Sequence, residues 1–122
     1  PGLADLYPQR KPEEIDFEEL KKRFLTTIAL EASRVMAEGI VTDPREADVG
    51  SILAFGFAPY TGGAISYIDF MGTAAFVKQA KALQKKYGAD FKAPKLLSEM
   101  AGTDDTFYKR FDPYKDSSKQ AA

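Results

Sequence analysis

From Leu20 onward, apolar residues return at Leu20, Phe24, Leu25, Ile28, Ala32, Val35, Met36 and Ile40, the three-and-four spacing that draws one stripe down a helix. Asp16 and Glu19 stand three apart, as in a capping box, and start that helix. Gly39 lies near its end. Asp43-Pro44-Arg45-Glu46 then supplies an N-cap, a proline at the first helical position and a third-position glutamate, so a second helix begins there. Its residues Ala47, Val49, Ile52, Leu53 and Phe55 are nearly continuously apolar, which predicts a central position with burial on more than one side. From Gly56 to Gly63 a regular helix cannot continue. Pro59 lacks an amide donor, and Gly62-Gly63 permits positive φ or close backbone approach. A short apolar helix from Ala64 to about Met71 follows, with Gly72 at its end. The next helix, about Thr73 to Tyr87, turns Phe76, Val77, Ala80, Leu83 and Tyr87 inward and Lys78, Lys81, Lys85 and Lys86 outward, and Gly88 stops it. Pro94 opens a last short helix with Leu96, Leu97 and Met100 inward.

No segment alternates as a strand does, and no internal repeat is visible. The predicted class is all-α, a compact multi-helix domain. Residues 1–13 contain three prolines and no sustained period, and read as an extended arm or linker that Leu3, Leu6 and Tyr7 can pin to a groove. Residues 14–111 form the helical domain. Residues 112–122 read as a polar flexible tail.

At 122 residues the chain suits one domain that buries about two-thirds of its unfolded surface. Lys+Arg 17 against Asp+Glu 18 gives a formal net charge of -1, so no global field draws a polyanion, and nucleic acid is not an expected partner. No apolar run reaches the roughly 18 to 20 residues of a membrane span, and no signal peptide opens the chain. The absence of cysteine removes disulfides and thiolate chemistry and fits a reducing compartment. The absence of histidine removes the commonest neutral-pH base and metal ligand. No two glycines stand as G-x-G, and no phosphate-binding P-loop is present, so the chain lacks a dinucleotide fingerprint. No metal site, cofactor site or catalytic constellation is expected.

Two groups of residues can still carry chemistry. Glu31 falls on the helical wheel beside Leu20 and Phe24, where a partly buried carboxylate can act as an acid or base. Alternatively it forms a buried ion pair with Arg34, three residues on, or pairs with Arg23 or Arg45. Tyr60, Gly62, Gly63, Tyr67 and Asp69 surround the glycine turn, either as a structural turn in which Asp69 ties down the turn's own amides or as ligand contacts. The lysines of the fourth helix can attract phosphates of coenzyme A, or simply be solvated. Phe57, Tyr60, Phe70, Phe107, Tyr108 and Phe111 are more aromatic surface than a small core needs, and predict an interface.

The stretch from Glu31 to Gly72 carries Glu31-Ala32, Glu38-Gly39-Ile40, Asp43-Pro44, Ala47-Asp48, Gly56-Phe57, Gly62-Gly63, Tyr67, Asp69 and Gly72 in order. It resembles the C-terminal helical domain of the 3-hydroxyacyl-CoA dehydrogenases, most nearly the second, non-catalytic copy in multifunctional fatty-acid oxidation alpha subunits. The resemblance covers roughly residues 14 to 108. Ala58 and Ala64 depart from it, standing where prolines often occur and leaving the turn less rigid. The first residue, Pro1, suits a piece of a longer polypeptide.

The resemblance implies a structural and interface module within an NAD-dependent 3-hydroxyacyl-CoA dehydrogenase, possessing enoyl-CoA hydratase activity elsewhere on the parent chain and acting in fatty-acid β-oxidation. The module is expected to be inactive alone and to bind no cofactor, with NAD held by the parent. Its implied partners are a sister helical domain and the NAD-binding domain of the parent, a second copy in a homodimer, and a thiolase subunit. Acyl-CoA is the parent's substrate. A bacterial cytoplasmic location is expected, with mitochondria or peroxisomes as alternatives. Two other functional readings stay open: direct acyl-CoA binding by this domain, and a free-standing helical adaptor.

Overall fold

In the computed structural model, which describes residues 2–7 and 9–115, the Asp16 carboxylate accepts the Glu19 amide at 3.0 Å and starts helix α1, Phe17–Ala37. The cap is one-sided. Glu19 does not reach back to Asp16; its carboxylate accepts from Lys86 Nζ and the Tyr87 hydroxyl instead. The inward face of α1 is Thr26, Ala29, Leu30, Ser33 and Met36. Its two hydroxyls are satisfied by main-chain carbonyls, Thr26 donating to Lys22 at 2.7 Å and Ser33 to Leu30 at 2.7 Å, so burying them leaves no donor unpaired.

That corrects the expected stripe. Phe24 is 63% exposed, and at 100° per residue Phe17, Phe24, Ile28 and Val35 fall on the side opposite Thr26, Leu30 and Ser33. Of the expected stripe, Met36 is buried and Ala32 packs on the core, whereas Phe24 and Ile40 face solvent. Helix α2, Pro44–Phe55, is likewise turned from its expected orientation. It buries Pro44, Asp48 and Ser51 and leaves Leu53 80% exposed, with Val49 and Phe55 also in solvent. It is peripheral rather than central. A left-handed Gly56 (φ 65) ends it, and the Phe57 amide returns to the Ser51 carbonyl at 3.0 Å, satisfying a carbonyl of the last turn from beyond the helix end.

The central element is the short helix α3, Ala64–Met71, which packs against α1, α2 and α4, Thr73–Tyr87. Ala64, Ile65 and Ile68 are fully buried in it. Helix α5, Lys95–Thr103, covers α4 through Leu97 and Met100. A one-turn helix, α6, Phe107–Arg110, was not expected from the sequence; Phe107 enters the core from it, and Thr106 caps it by accepting the Lys109 amide at 3.2 Å. Leu30, Ile65, Ile68, Phe76, Phe91, Leu97, Met100 and Phe107 share one core. No strand occurs among the described residues, and the chain is all-α.

The N-terminal arm contains 3-10 turns at Leu3–Asp5 and Pro12–Glu14. Leu3, Leu6 and Tyr7 are exposed and are not pinned in a groove. Of the expected tail, residues 116–122 lie outside the described residues. Asp112–Lys115 makes a turn, and the Arg45 guanidinium lies over the Tyr114 ring, 5.0 Å from its centroid.

Candidate interface

The glycine turn is organised by a residue outside it. Asp48, buried on the inner face of α2, accepts the Ile65 amide at 2.7 Å, the Ser66 amide at 3.0 Å and the Ser66 hydroxyl at 2.5 Å. It thereby supplies the N-terminal cap that Gly63 cannot provide for α3, and places negative charge at the positive end of that helix. Ser51, one turn on, donates its own hydroxyl to the Asp48 carbonyl at 2.8 Å and accepts the Ala64 amide at 3.0 Å. The turn itself is Pro59–Thr61 in 3-10 form. Thr61 ties it by donating to the Ala58 carbonyl at 2.6 Å and accepting the Gly63 amide at 3.2 Å. A Cβ on Gly63 (φ +125) would stand 2.4 Å from Asp48 Cβ, so the close approach and the backbone angle both require glycine. Asp48 also accepts the Tyr108 hydroxyl at 2.7 Å, joining α2, α3 and α6. Burial, and then that bond to a carboxylate, push the Tyr108 phenol above its ordinary value.

The expected ring of turn residues does not converge. Asp69 ties down amides, but those of Phe107 at 2.9 Å and Tyr108 at 3.0 Å, at the start of α6 rather than in the glycine turn. Burial raises its carboxyl above the ordinary range, and the two amide bonds oppose that rise. Tyr67, two residues away on α3, points elsewhere: its ring packs edge-on against Phe57 and Phe76, and its hydroxyl is 3.4 Å from Gln79 Nε2. Tyr60 is exposed, with Lys21 Nζ 5.7 Å from its ring centroid. Gly62 and Gly63 serve the turn.

Glu31 and Arg34 do form an ion pair, but at the surface rather than buried, with the Glu31 side chain 62% exposed. Arg34 has a second job, donating to the carbonyls of Asp90 at 3.0 Å and Lys92 at 2.8 Å and tying the 3-10 turn Ala89–Phe91 to α1. Of the six aromatics expected at an interface, Phe57 and Phe107 are core residues and Phe111 packs on the core. Tyr60 and Tyr108 reach the surface, and Phe70 is 96% exposed. Among the described residues no group of three acidic side chains is placed to hold a metal ion, and no helix is long and apolar enough to cross a membrane.

The structure presents exposed apolar side chains rather than a catalytic cluster: Phe17 and Phe24 on α1, Val49, Leu53 and Phe55 on α2, and Tyr60 beside Lys21. Periodicity drew the α1 stripe without separating its buried member, Met36, from its exposed one, Phe24; Asp48 was visible only as part of the resemblance.

Proteins called fatty acid oxidation complex subunit alpha match over most of this chain. The one from Shewanella amazonensis is 39% identical over 90 residues, 74% of this chain and 13% of that protein. The one from Shewanella loihica is 34% identical over 108 residues, 88% of this chain and 15% of that protein. The chain is related to a part of the fatty acid oxidation complex alpha subunit. It spans only about 13–15% of the length of these alpha subunits. No family model matches it.

Proposed function

We propose that this chain is a packing module of a multifunctional fatty-acid β-oxidation alpha subunit, and that the outward face of α1 and α2 docks on a sister helical domain. The parent is an NAD-dependent 3-hydroxyacyl-CoA dehydrogenase, with hydratase activity elsewhere on it, working on acyl-CoA in the bacterial cytoplasm. The observation that carries this reading is the exposure of Phe24 and Leu53, 63% and 80%, on two well-formed helices. Large side chains left in water on a rigid surface mark an association site, and burying each contributes roughly 1.5–3 kcal/mol to docking.

The contribution to catalysis is positional. The module supplies no base, cofactor or nucleophile. It holds the sister domain against the substrate cleft, where displacement of a cleft wall by about 1 Å is costly to rate. The test replaces Phe24 and Leu53 together, as Phe24→Asp/Leu53→Asp, in the full-length alpha subunit. Dehydrogenase turnover and thermal stability of the full polypeptide should both fall, while the domain alone unfolds at nearly its original temperature. Full turnover and stability in the double variant would contradict the proposal.

A further inference from the structure

We infer that α2 is a hinged element, able to leave its seat as one body while the rest of the core stays closed, and that Asp48 is the catch that holds it. The residues α2 buries are Pro44, Asp48 and Ser51, and Ala47 packs on the core beside them. No large apolar side chain of this helix belongs to the core cluster. Each of the other helices is seated by such side chains: α1 by Leu30 and Met36, α3 by Ile65 and Ile68, α4 by Phe76 and Leu83, α5 by Leu97 and Met100, and α6 by Phe107. What holds α2 instead is a set of hydrogen bonds. Asp48 accepts from the Ile65 and Ser66 amides and from the hydroxyls of Ser66 and Tyr108, and Ser51 accepts from the Ala64 amide.

The two kinds of seat differ in what opening costs. A core side chain moved into water loses its transfer free energy in full. A carboxylate, hydroxyls and amides that part from one another regain partners in water, so only the small net value of each bond is lost. Val49, Leu53 and Phe55 lose nothing, being in solvent already. The chain is anchored on both sides of the helix: Val41 packs against the core before it, and Phe57 is buried after it. The links between anchors and helix are Thr42-Asp43, with extended backbone at Asp43, and the left-handed Gly56. Nothing stands within 4 Å of where a Gly56 Cβ would be, so neighbours do not confine that link. Hinges are commonly a few such element-terminal residues that absorb a change in φ and ψ. Because Asp48 engages α3 and α6 together, release of this one carboxylate frees α2 from both. Elements with few buried apolar contacts open at less than the global unfolding free energy. The hinge is a property of the chain itself, independent of the docking proposed above.

The test is native-state amide exchange on the 15N-labelled chain, followed by NMR. The amides of Ile52, Leu53 and Ala54 in α2 should share one opening reaction and be at least about tenfold less protected than those of Leu30 in α1 and Ala80 in α4. Two variants separate a hinge from global unfolding. Leu97→Val weakens the core through α5 and should lower protection of Leu30 and Ala80 about fivefold, leaving the α2 amides unchanged, because the core stays closed when α2 opens. Tyr108→Phe removes one bond to the catch without touching the cap of α3, and should lower protection of the α2 amides about fivefold. Three results would overturn the proposal: α2 amides as protected as Leu30 and Ala80, α2 amides that fall with the core in Leu97→Val, or α2 amides unchanged in Tyr108→Phe.

Discussion

Gly63 lacks a side chain where Asp48 fills the space one would need. Replacing it with alanine forces a positive φ and a clash at once, and Gly63→Ala should lose about 2 kcal/mol or more of folding stability in urea unfolding. A loss within experimental error would show that α3 can shift at little cost. The glycine pair was legible in the sequence as a turn, but Asp48 was not legible as its anchor, because nothing local links a helix-two carboxylate to amides 17 and 18 residues away. Two other carboxylates should respond to pH with opposite signs. Burial lifts Asp69 above its ordinary 3.8. Its folded state is then the better proton binder, so its contribution is fully present below 3.8 and lost as pH rises through the raised value. Glu19 is held below its ordinary 4.5 by Lys86 and then by Tyr87. It contributes above 4.5 and loses that contribution as pH falls through the lowered value. In urea unfolding across this acid range, Asp69→Asn should become less stable relative to the parent chain on acidification, while Glu19→Gln should close its gap. Reversal of either sign would contradict the assignment.

Helix α1 shows why periodicity finds an element more readily than its orientation. It has two faces able to meet apolar surface. One carries Ala29, Leu30 and Met36 with two self-satisfied hydroxyls, and the other carries Phe17, Phe24, Ile28 and Val35. Periodicity drew one stripe across both, taking Met36 from the first and Phe24, Ile28 and Val35 from the second, because Thr26 and Ser33 count as polar even when their donors are paired. The first is the one buried. Helix α2 repeats the pattern, since Asp48 and Ser51 are its inward residues. Caps fared better because they are local: Asp16, Asp43 with Pro44, and Gly56 act within a few residues of themselves. Helix α6 offered only Thr106 and four helical residues, too little for a period to register. The two faces of α1 make a direct prediction for the isolated chain. Leu30→Ala should cost about 2–5 kcal/mol, whereas Phe24→Ser should stay within about 0.5 kcal/mol, both from urea midpoints. Comparable losses would place Phe24 in the core and remove the outward face.

At the scale of the molecule, the six α-helices among the described residues close one core around α3 and leave two kinds of surface, exposed apolar side chains on α1 and α2 and exposed lysines on α4. Neither surface contains a catalytic constellation, and a chain without histidine or cysteine has few groups from which to build one. Fold class was legible from helical spacing, turn residues and the lack of strand alternation. The outward face was not, because exposure depends on which neighbours the chain packs against. The central claim is that this face is covered in the working protein. Since the chain has no cysteine, Leu53→Cys gives a single reporter thiol, and maleimide labelling of that position can be followed by mass-mapped peptides in the isolated chain and in the full alpha subunit. The account predicts rapid labelling in the isolated chain and strong protection in the full polypeptide. Equal labelling rates in the two would contradict it.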